Sequence, residues 1–138
     1  MHFISEDLED YVANHSQAEP ELLTKLNKET YQKIMQPRML SGHFQGRVLS
    51  MLSKIIRPKH ILEIGTYTGY AALCLAEGMH ENSTLDTIDI NEELVTIQNK
   101  YFEASPWKDQ IFSHLGDALE IIPKLNKKFD LVFIDADK

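Results

Sequence analysis

The chain has 138 residues, of which 43% are hydrophobic and 25% charged, a composition typical of a folded domain with a sizeable core. The net charge is −7 and no stripe of Lys and Arg is present, so we expect no nucleic-acid partner. The acidic start of the chain lacks signal-peptide character, no apolar run approaches the roughly 20 residues of a transmembrane helix, and Cys74 is the single cysteine. We therefore expect a cytoplasmic protein with no membrane partner.

The first part of the chain contains helical patterns only. A short acidic helix ends near Asn14, a second helix begins near Glu19, and a third runs from His43 to Ile56 with apolar residues at helical spacing. We predict that residues 1–57 are an N-terminal helical extension packed on the rest of the chain, not a separate domain.

The second part, residues 58–138, alternates strand and helix patterns. The strand patterns are HILEIG, TLDTIDI, QIFSHL and FDLVFI, and the helical segments between them are TGYAALCLAEGM, NEELVTIQNKYFEA and DALEIIPKL. Strands that alternate with helices form parallel βαβ units, so we predict an α/β fold with a doubly wound, mostly parallel sheet. The last strand pattern contains the apolar run Leu131 to Ile134 with Phe129 just upstream, which predicts burial on both of its faces.

Glycine or charged residues stand where these strands end. The four strand ends are 63–65, Asp89, 116–118 and 135–138, and all of their residues except Ile64 and the two alanines are glycine or charged. In open α/β sheets ligands bind at the carboxyl ends of the strands. The sequence therefore predicts a ligand site at this edge of the sheet.

The loop after the first strand, LEIGTYTGY, favours one class of ligand. Gly65 and Gly69 let a ligand approach a helix N-terminus closely. Tyr67 stands where a dinucleotide loop has its second glycine, which disfavours NAD. The carboxylate of Glu63 would repel a phosphate and attract a cation, and S-adenosylmethionine has no phosphate but carries a sulfonium and an ammonium. The alternative is an ordinary strand-to-helix turn.

The other strand ends each have two interpretations. Asp89 could accept both hydroxyls of a ribose, or it could cap a helix, although Asn91 already supplies a cap. The segment 116–118 could surround an adenine edge, or Asp117 could simply cap the next helix. The charges of the final segment, 135–138, could belong to a ligand site or to a solvated turn.

Five motifs carry a resemblance to a known family. In chain order, RMLSGHFQG, LEIGTYTGYAALCLAE, TIDIN, GDALEIIP and FDLVFIDADK resemble the cation-dependent small-molecule O-methyltransferases, the group of caffeoyl-coenzyme A and catechol O-methyltransferases. The resemblance runs from about Pro37 to Lys138. It implies a Rossmann-like methyltransferase fold and transfer of a methyl group from S-adenosylmethionine to a hydroxyl of a catechol-like or caffeoyl-like aromatic diol. It also implies a divalent cation (Mg²⁺, or Ca²⁺ or Mn²⁺) and a homodimer.

The same resemblance implies the site residues. Asp135 matches a metal ligand and Lys138 matches the lysine proposed as general base, so both are predicted catalytic residues. Glu63 and the Gly65–Thr66 backbone would hold the methionine part of the cofactor, Asp89 the ribose and Ala118 the adenine. The predicted cofactor-binding residues are Met39, Ser41, Glu63, Gly65, Thr66, Gly69, Ala71, Asp89, Ala118 and Asp137. Some family members have a serine where Ala71 stands, so one hydroxyl contact is expected to be lost.

Family chains are longer by several dozen residues, and the additional part carries an Asp-Asn pair that completes the metal site. We therefore expect this chain to be the N-terminal portion of such an enzyme, truncated after the fourth strand. Two alternatives remain open: a methyltransferase of another small molecule that uses no metal, and a non-catalytic cofactor-binding fragment.

Overall fold

The computed structural model describes residues 4–137. The helices and strands of these residues follow one another in this order: α1 Glu6–Asn14, α2 Glu21–Lys33, α3 Gly42–Ile56, β1 His60–Ile64, α4 Tyr70–Ala76, β2 Thr84–Asp89, α5 Val95–Glu103, β3 Ile111–Leu115, α6 Ala118–Leu125 and β4 Leu131–Ile134. Short 3-10 helices at Pro37–Met39 and Glu92–Leu94 precede α3 and α5. Within the described residues, none of the helices combines the length and the apolar character that crossing a membrane requires.

The strands form one parallel sheet in the order β3-β2-β1-β4, which confirms the predicted α/β fold. In the register, Ile61 of β1 lies between Leu85 of β2 and Leu131 of β4. Strands β2 and β3 are added on one side of β1, and β4 is added on the other side. The order of the strands therefore reverses beside β1, which is where ligands bind in this class of sheet.

Helix α4 is buried along its whole length, because it lies between the sheet and α3. It is the centre of a core that also contains apolar side chains of α2, α5 and three strands. Gly46 of α3 permits the close approach of the two helices, since a Cβ atom there would lie 2.8 Å from the Tyr70 ring and from Cys74 Sγ. A larger residue at this position would force α3 away from the core.

Polar contacts tie the N-terminal helices to the α/β part. Arg47 of α3 is buried and its Nη2 lies 2.7 Å from Oε1 of Glu77, just after α4. Glu29 of α2 accepts hydrogen bonds from Lys100 Nζ and Tyr101 Oη of α5, both at 2.6 Å. Helices α2 and α3 therefore pack on the core. The description of the N-terminal part as an extension of the core remains a prediction.

Strand β4 differs from expectation. Its Leu131 and Phe133 side chains pack against the core, but Val132 is 49% exposed and Ile134 is 69% exposed. The prediction that both faces of this strand are buried is wrong for the described residues. An apolar run shows that a strand can be buried, whereas its actual burial depends on which elements cover each face.

Candidate functional site

A cleft of about 970 Å³ lies at the carboxyl ends of the strands. Parallel strands all end at the same edge of a sheet, so residues that are distant in the chain meet there. The cleft is lined by residues at the end of each strand or just after it: Ile64, Gly65 and Tyr67 for β1, Ile88 to Asn91 for β2, Gly116 to Ala118 for β3, and Asp135 to Asp137 for β4. Its volume lies at the upper end of the range for small-molecule sites.

The two glycines of the loop after β1 have different roles. Gly65 has φ +100°, and a Cβ atom there would lie 2.7 Å from the carbonyl oxygen of Asp135 and 2.8 Å from the Ala136 nitrogen. Gly69 has φ +95°, and a Cβ atom there would lie 2.7 Å from the Phe102 ring. Both positions need the left-handed backbone that glycine adopts readily. Gly65 allows the ends of β1 and β4 to meet at the cleft, whereas Gly69 allows α5 to pack against the loop.

Tyr67 is held by three neighbouring segments. Its backbone N–H donates to Oδ2 of Asp89 at 2.7 Å, its carbonyl oxygen accepts from Nε2 of Gln98 at 2.7 Å, and its hydroxyl donates to the Gln36 carbonyl oxygen at 2.9 Å. Its φ of +51° lies in the left-handed region, which is uncommon for a residue other than glycine. These contacts fix the glycine loop against β2, α5 and the segment before α3.

Asp89 organises the turn after β2. Its Oδ2 accepts from the Tyr67 N–H and its Oδ1 accepts from the Asn91 N–H at 2.9 Å. The side chain of Asn91, not that of Asp89, accepts from the Glu93 N–H at the start of the next helical turn. A carboxylate oxygen can accept more than one hydrogen bond, so Asp89 still has acceptor sites for a ribose that enters the cleft.

Glu63 is fully buried just below the cleft. Its Oε2 accepts from the Thr87 hydroxyl at 2.5 Å, and among residues 4–137 no hydrogen-bond partner contacts its Oε1. The pKa of the Glu63 carboxyl is raised to about 8, chiefly by burial; the hydrogen bond from Thr87 lowers it, and the nearby carboxylates of Asp89 and Asp135 contribute to the rise. This setting favours the neutral form of the carboxyl group, whereas a cation beside it would favour the charged form.

Asp117 both caps a helix and lines the cleft. Its Oδ1 accepts from the Leu119 N–H at 2.8 Å at the start of α6, and the preceding Gly116 has φ +145°. Ala118 lies beside it in the lining of the cleft. The helix cap is therefore present, and it is compatible with an adenine site at Ala118.

The structure brings only some of the predicted site residues to the cleft surface. Those that line it are Met39, Gly65, Asp89, Ala118, Asp135 and Asp137. Those that do not are Ser41, Glu63, Thr66, Gly69 and Ala71, of which all but Ser41 are buried. Lys138, the predicted base, lies outside the described residues. The individual roles of these residues remain predictions.

One wall of the cleft was not predicted. Residues 33–36, at the end of α2 and just after it, line the cleft opposite the strand ends. Gln36 has φ +58° and precedes Pro37, so the chain turns sharply there. The only signal in the sequence is the break in helical pattern at QPRMLSG, which indicates a loop but not what the loop faces.

The described residues do not fit a complete metal site. Among residues 4–137, no group of three or more His, Cys, Asp or Glu side chains is arranged to hold a metal ion. A magnesium-like ion takes about six oxygen ligands, and Asp135 alone offers at most two. We therefore assign no metal-dependent step to these residues.

Comparisons with known proteins agree with this geometry. A family model described as "O-methyltransferase" matches residues 13–138. A caffeoyl-CoA O-methyltransferase from Zea mays is 34% identical over an alignment of 142 residues, which covers 97% of this chain and 55% of the relative. A catechol O-methyltransferase from Niastella koreensis is 32% identical over 98 residues, which covers 68% of this chain and 44% of the relative.

Solved structures show the same fold. An O-methyltransferase from Bacillus cereus in complex with SAH has a TM-score of 0.86 at 28% identity, covering 96% of this chain and 61% of that protein. The O-methyltransferase TomG from Streptomyces achromogenes in complex with SAM has a TM-score of 0.88 at 26% identity, covering 98% of this chain and 64% of that protein. This chain spans about half the length of the curated relatives it matches.

Proposed function

Because this chain belongs to the O-methyltransferase family, we propose that it binds S-adenosylmethionine in the cleft and moves the methyl group to a hydroxyl of a small aromatic diol. The observation that carries the proposal is the buried carboxyl of Glu63, one oxygen of which has no hydrogen-bond partner within residues 4–137, beside a glycine loop that contains Tyr67. A carboxyl group beside such a loop disfavours a phosphate-bearing cofactor and favours a cationic one. The solved neighbours that bind SAM or SAH support the same cofactor.

The lining of the cleft supports a specific placement of the cofactor. Glu63 and the Gly65–Thr66 backbone would hold the methionine part, because they lie at the end of β1. Asp89 would accept the ribose hydroxyls at the end of β2, and Ala118 would contact the adenine after β3. This order follows the strands across the cleft, so that the cofactor would span the sheet from β1 to β3. Asp137 would contact the cofactor from the β4 side.

The proposed chemistry is a single displacement. A hydroxyl oxygen of the acceptor attacks the methyl carbon, the bond from that carbon to the sulfonium sulfur breaks, and the hydroxyl proton passes to a base. We propose Lys138 as the base from the family resemblance. The names of the relatives from Zea mays and Niastella koreensis support an acceptor of the caffeoyl or catechol kind. We also propose a cytoplasmic homodimer, on sequence grounds alone.

The divalent cation belongs to the proposal only through the resemblance. Asp135 is the candidate ligand, and a bound cation would lower the pKa of an acceptor hydroxyl. The described residues supply no group of three ligands, and the resemblance implies that an Asp-Asn pair in the additional part of the family chains supplies the others. The second candidate function, also proposed from the sequence, is a methyltransferase of another small molecule that uses no metal.

Two experiments test the proposal. Calorimetric titration of the purified protein with S-adenosylmethionine, S-adenosylhomocysteine and NAD should show binding of the first two ligands and weaker binding of NAD. Tighter binding of NAD would contradict the proposal. Transfer of label from S-adenosylmethionine to a panel of catechols should then be measured with and without a chelator. Loss of transfer with chelator supports the metal-assisted reaction, and transfer that the chelator leaves unchanged favours the second candidate.

A further inference from the structure

Thr87 connects Glu63 to the glycine loop. It lies directly beside Glu63 in the register of β1 and β2, and it is fully buried. Its hydroxyl donates to Oε2 of Glu63, and it lies 2.6 Å from the hydroxyl of Thr66, which is also buried. The three side chains therefore form a continuous hydrogen-bonded chain from the sheet to the loop that lines the cleft.

The donors in this chain can be assigned when Glu63 is charged. A hydroxyl carries one hydrogen, and that of Thr87 is used by the carboxylate. Thr66 must then donate to Thr87. Oε2 of Glu63 is held in place by this arrangement, while Oε1 has no partner among the described residues. Buried polar atoms without partners are rare and costly in folded proteins, so the free oxygen indicates a ligand that supplies the missing contact.

We propose that Thr87 is a positioning residue for the cofactor: its hydroxyl holds one oxygen of Glu63 and thereby leaves the other oxygen for a positively charged group of S-adenosylmethionine. This inference rests on the proposed function. It adds to that function a residue that does not line the cleft and acts on the cofactor through Glu63, not by direct contact. The link from Thr87 to Thr66 means that the same hydroxyl also aligns the glycine loop with the carboxylate.

A purely space-filling role for Thr87 does not account for its contacts. Valine has nearly the same shape and an equally good preference for strands, so burial alone would not require a hydroxyl. The neighbouring apolar residues of β2, Leu85 and Ile88, are buried without any such group. The hydroxyl is therefore explained by its two partners, Glu63 and Thr66.

A double-mutant cycle tests the inference. Affinity for S-adenosylmethionine is measured by calorimetry for the wild type, Thr87→Val, Glu63→Gln and the double variant. A hydrogen bond to a charged group accounts for about a tenfold change in affinity or more, so each single variant should lose at least about tenfold. If Thr87 acts through Glu63, the double variant should be little weaker than the weaker single variant. Losses that simply multiply would show that Thr87 acts independently and would overturn the inference.

Two further variants separate positioning from structure. Thr87→Ser keeps the hydroxyl and should restore affinity to within about twofold of the wild type. Ser83→Ala removes another buried hydroxyl, which donates to the Pro58 carbonyl oxygen at the opposite end of β2, and it should leave affinity unchanged. The inference is overturned if Thr87→Ser does not restore the affinity for S-adenosylmethionine, or if Ser83→Ala loses as much affinity as Thr87→Val. Either result would mean that any disturbance of β2 weakens binding.

The outcomes also separate this inference from the function on which it rests. A wild-type protein that does not bind S-adenosylmethionine refutes the proposed function, and the inference falls with it. If the wild type binds S-adenosylmethionine and Thr87→Val binds it with equal affinity, the inference alone is refuted. Equal affinity in Glu63→Gln refutes the inference and also removes the observation that carries the proposed function. If Thr87→Val does not fold, Thr87→Cys takes its place in the cycle, because a thiol of similar size is only a weak donor.

Discussion

Glu63→Gln should change how the stability of the protein depends on pH. In the folded protein the pKa of Glu63 is raised from its ordinary value of 4.5 to about 8, mainly because the carboxyl is buried. Folding therefore favours the protonated form. The stabilisation that this provides is fully present below pH 4.5 and is lost as the pH rises through 8. Glutamine cannot ionise but keeps an acceptor oxygen for Thr87, so the variant lacks this source of pH dependence.

The size of the effect follows from the pKa difference. Between the ordinary pKa of Glu63 and its pKa in the folded protein, each pH unit lowers the free energy of unfolding of the wild type by about 1.4 kcal/mol relative to the variant. The full interval from 4.5 to about 8 corresponds to about 5 kcal/mol, a large share of the stability of a domain of this size. The absolute stability of the variant also includes the cost of its buried amide group. The change of the unfolding free energy with pH is therefore the informative quantity.

Urea unfolding of the wild type and Glu63→Gln at several pH values from 5.5 to 8.5 measures this change. Groups that titrate in both proteins, including the histidines, cancel in the difference. Glu92→Gln, which removes an exposed carboxylate, is the matched control and should follow the wild type. If the wild type and Glu63→Gln lose stability in parallel over this range, Glu63 ionises normally in the folded protein and the reasoning about its burial is wrong.

Three other predictions concern the cleft and the core. Asp89→Ala should weaken binding of S-adenosylmethionine by roughly ten- to a hundredfold in calorimetry without unfolding the domain; an affinity within about twofold of the wild type would show that Asp89 is only structural. Gly65→Ala should lower the melting temperature and weaken cofactor binding more than Gly42→Ala does, because both glycines have positive φ but only the Cβ atom at Gly65 meets backbone atoms; equal effects would leave the close approach of β1 and β4 without support. Cys74 is buried and its pKa is raised to about 12, chiefly by burial, so a thiol reagent at pH 8 should label the folded protein far more slowly than the urea-unfolded protein; equal rates would contradict its burial.

Local patterns in the sequence were sufficient to predict the elements and the edge of the sheet that carries the site. The alternation of short apolar runs with helical spacing predicts parallel strands, and the observed strands β1 to β4 fall within the predicted segments. Parallel strands must end at one edge, so Gly65, Asp89, Ala118 and Asp135 were expected to meet, and all four line the cleft. This prediction needed no knowledge of which strands are neighbours.

Pairings between distant residues were decided only by the tertiary structure. Thr87 is 24 residues from Glu63, and nothing in either segment shows that the parallel register of β1 and β2 places them side by side. The same is true of the wall at Gln36 and of the exposure of Ile134 in β4. Apolar periodicity indicates which side of an element can be buried, because this periodicity depends on the backbone repeat alone. Which partner covers that side, and which buried oxygen is left without one, depends on how all the elements pack together.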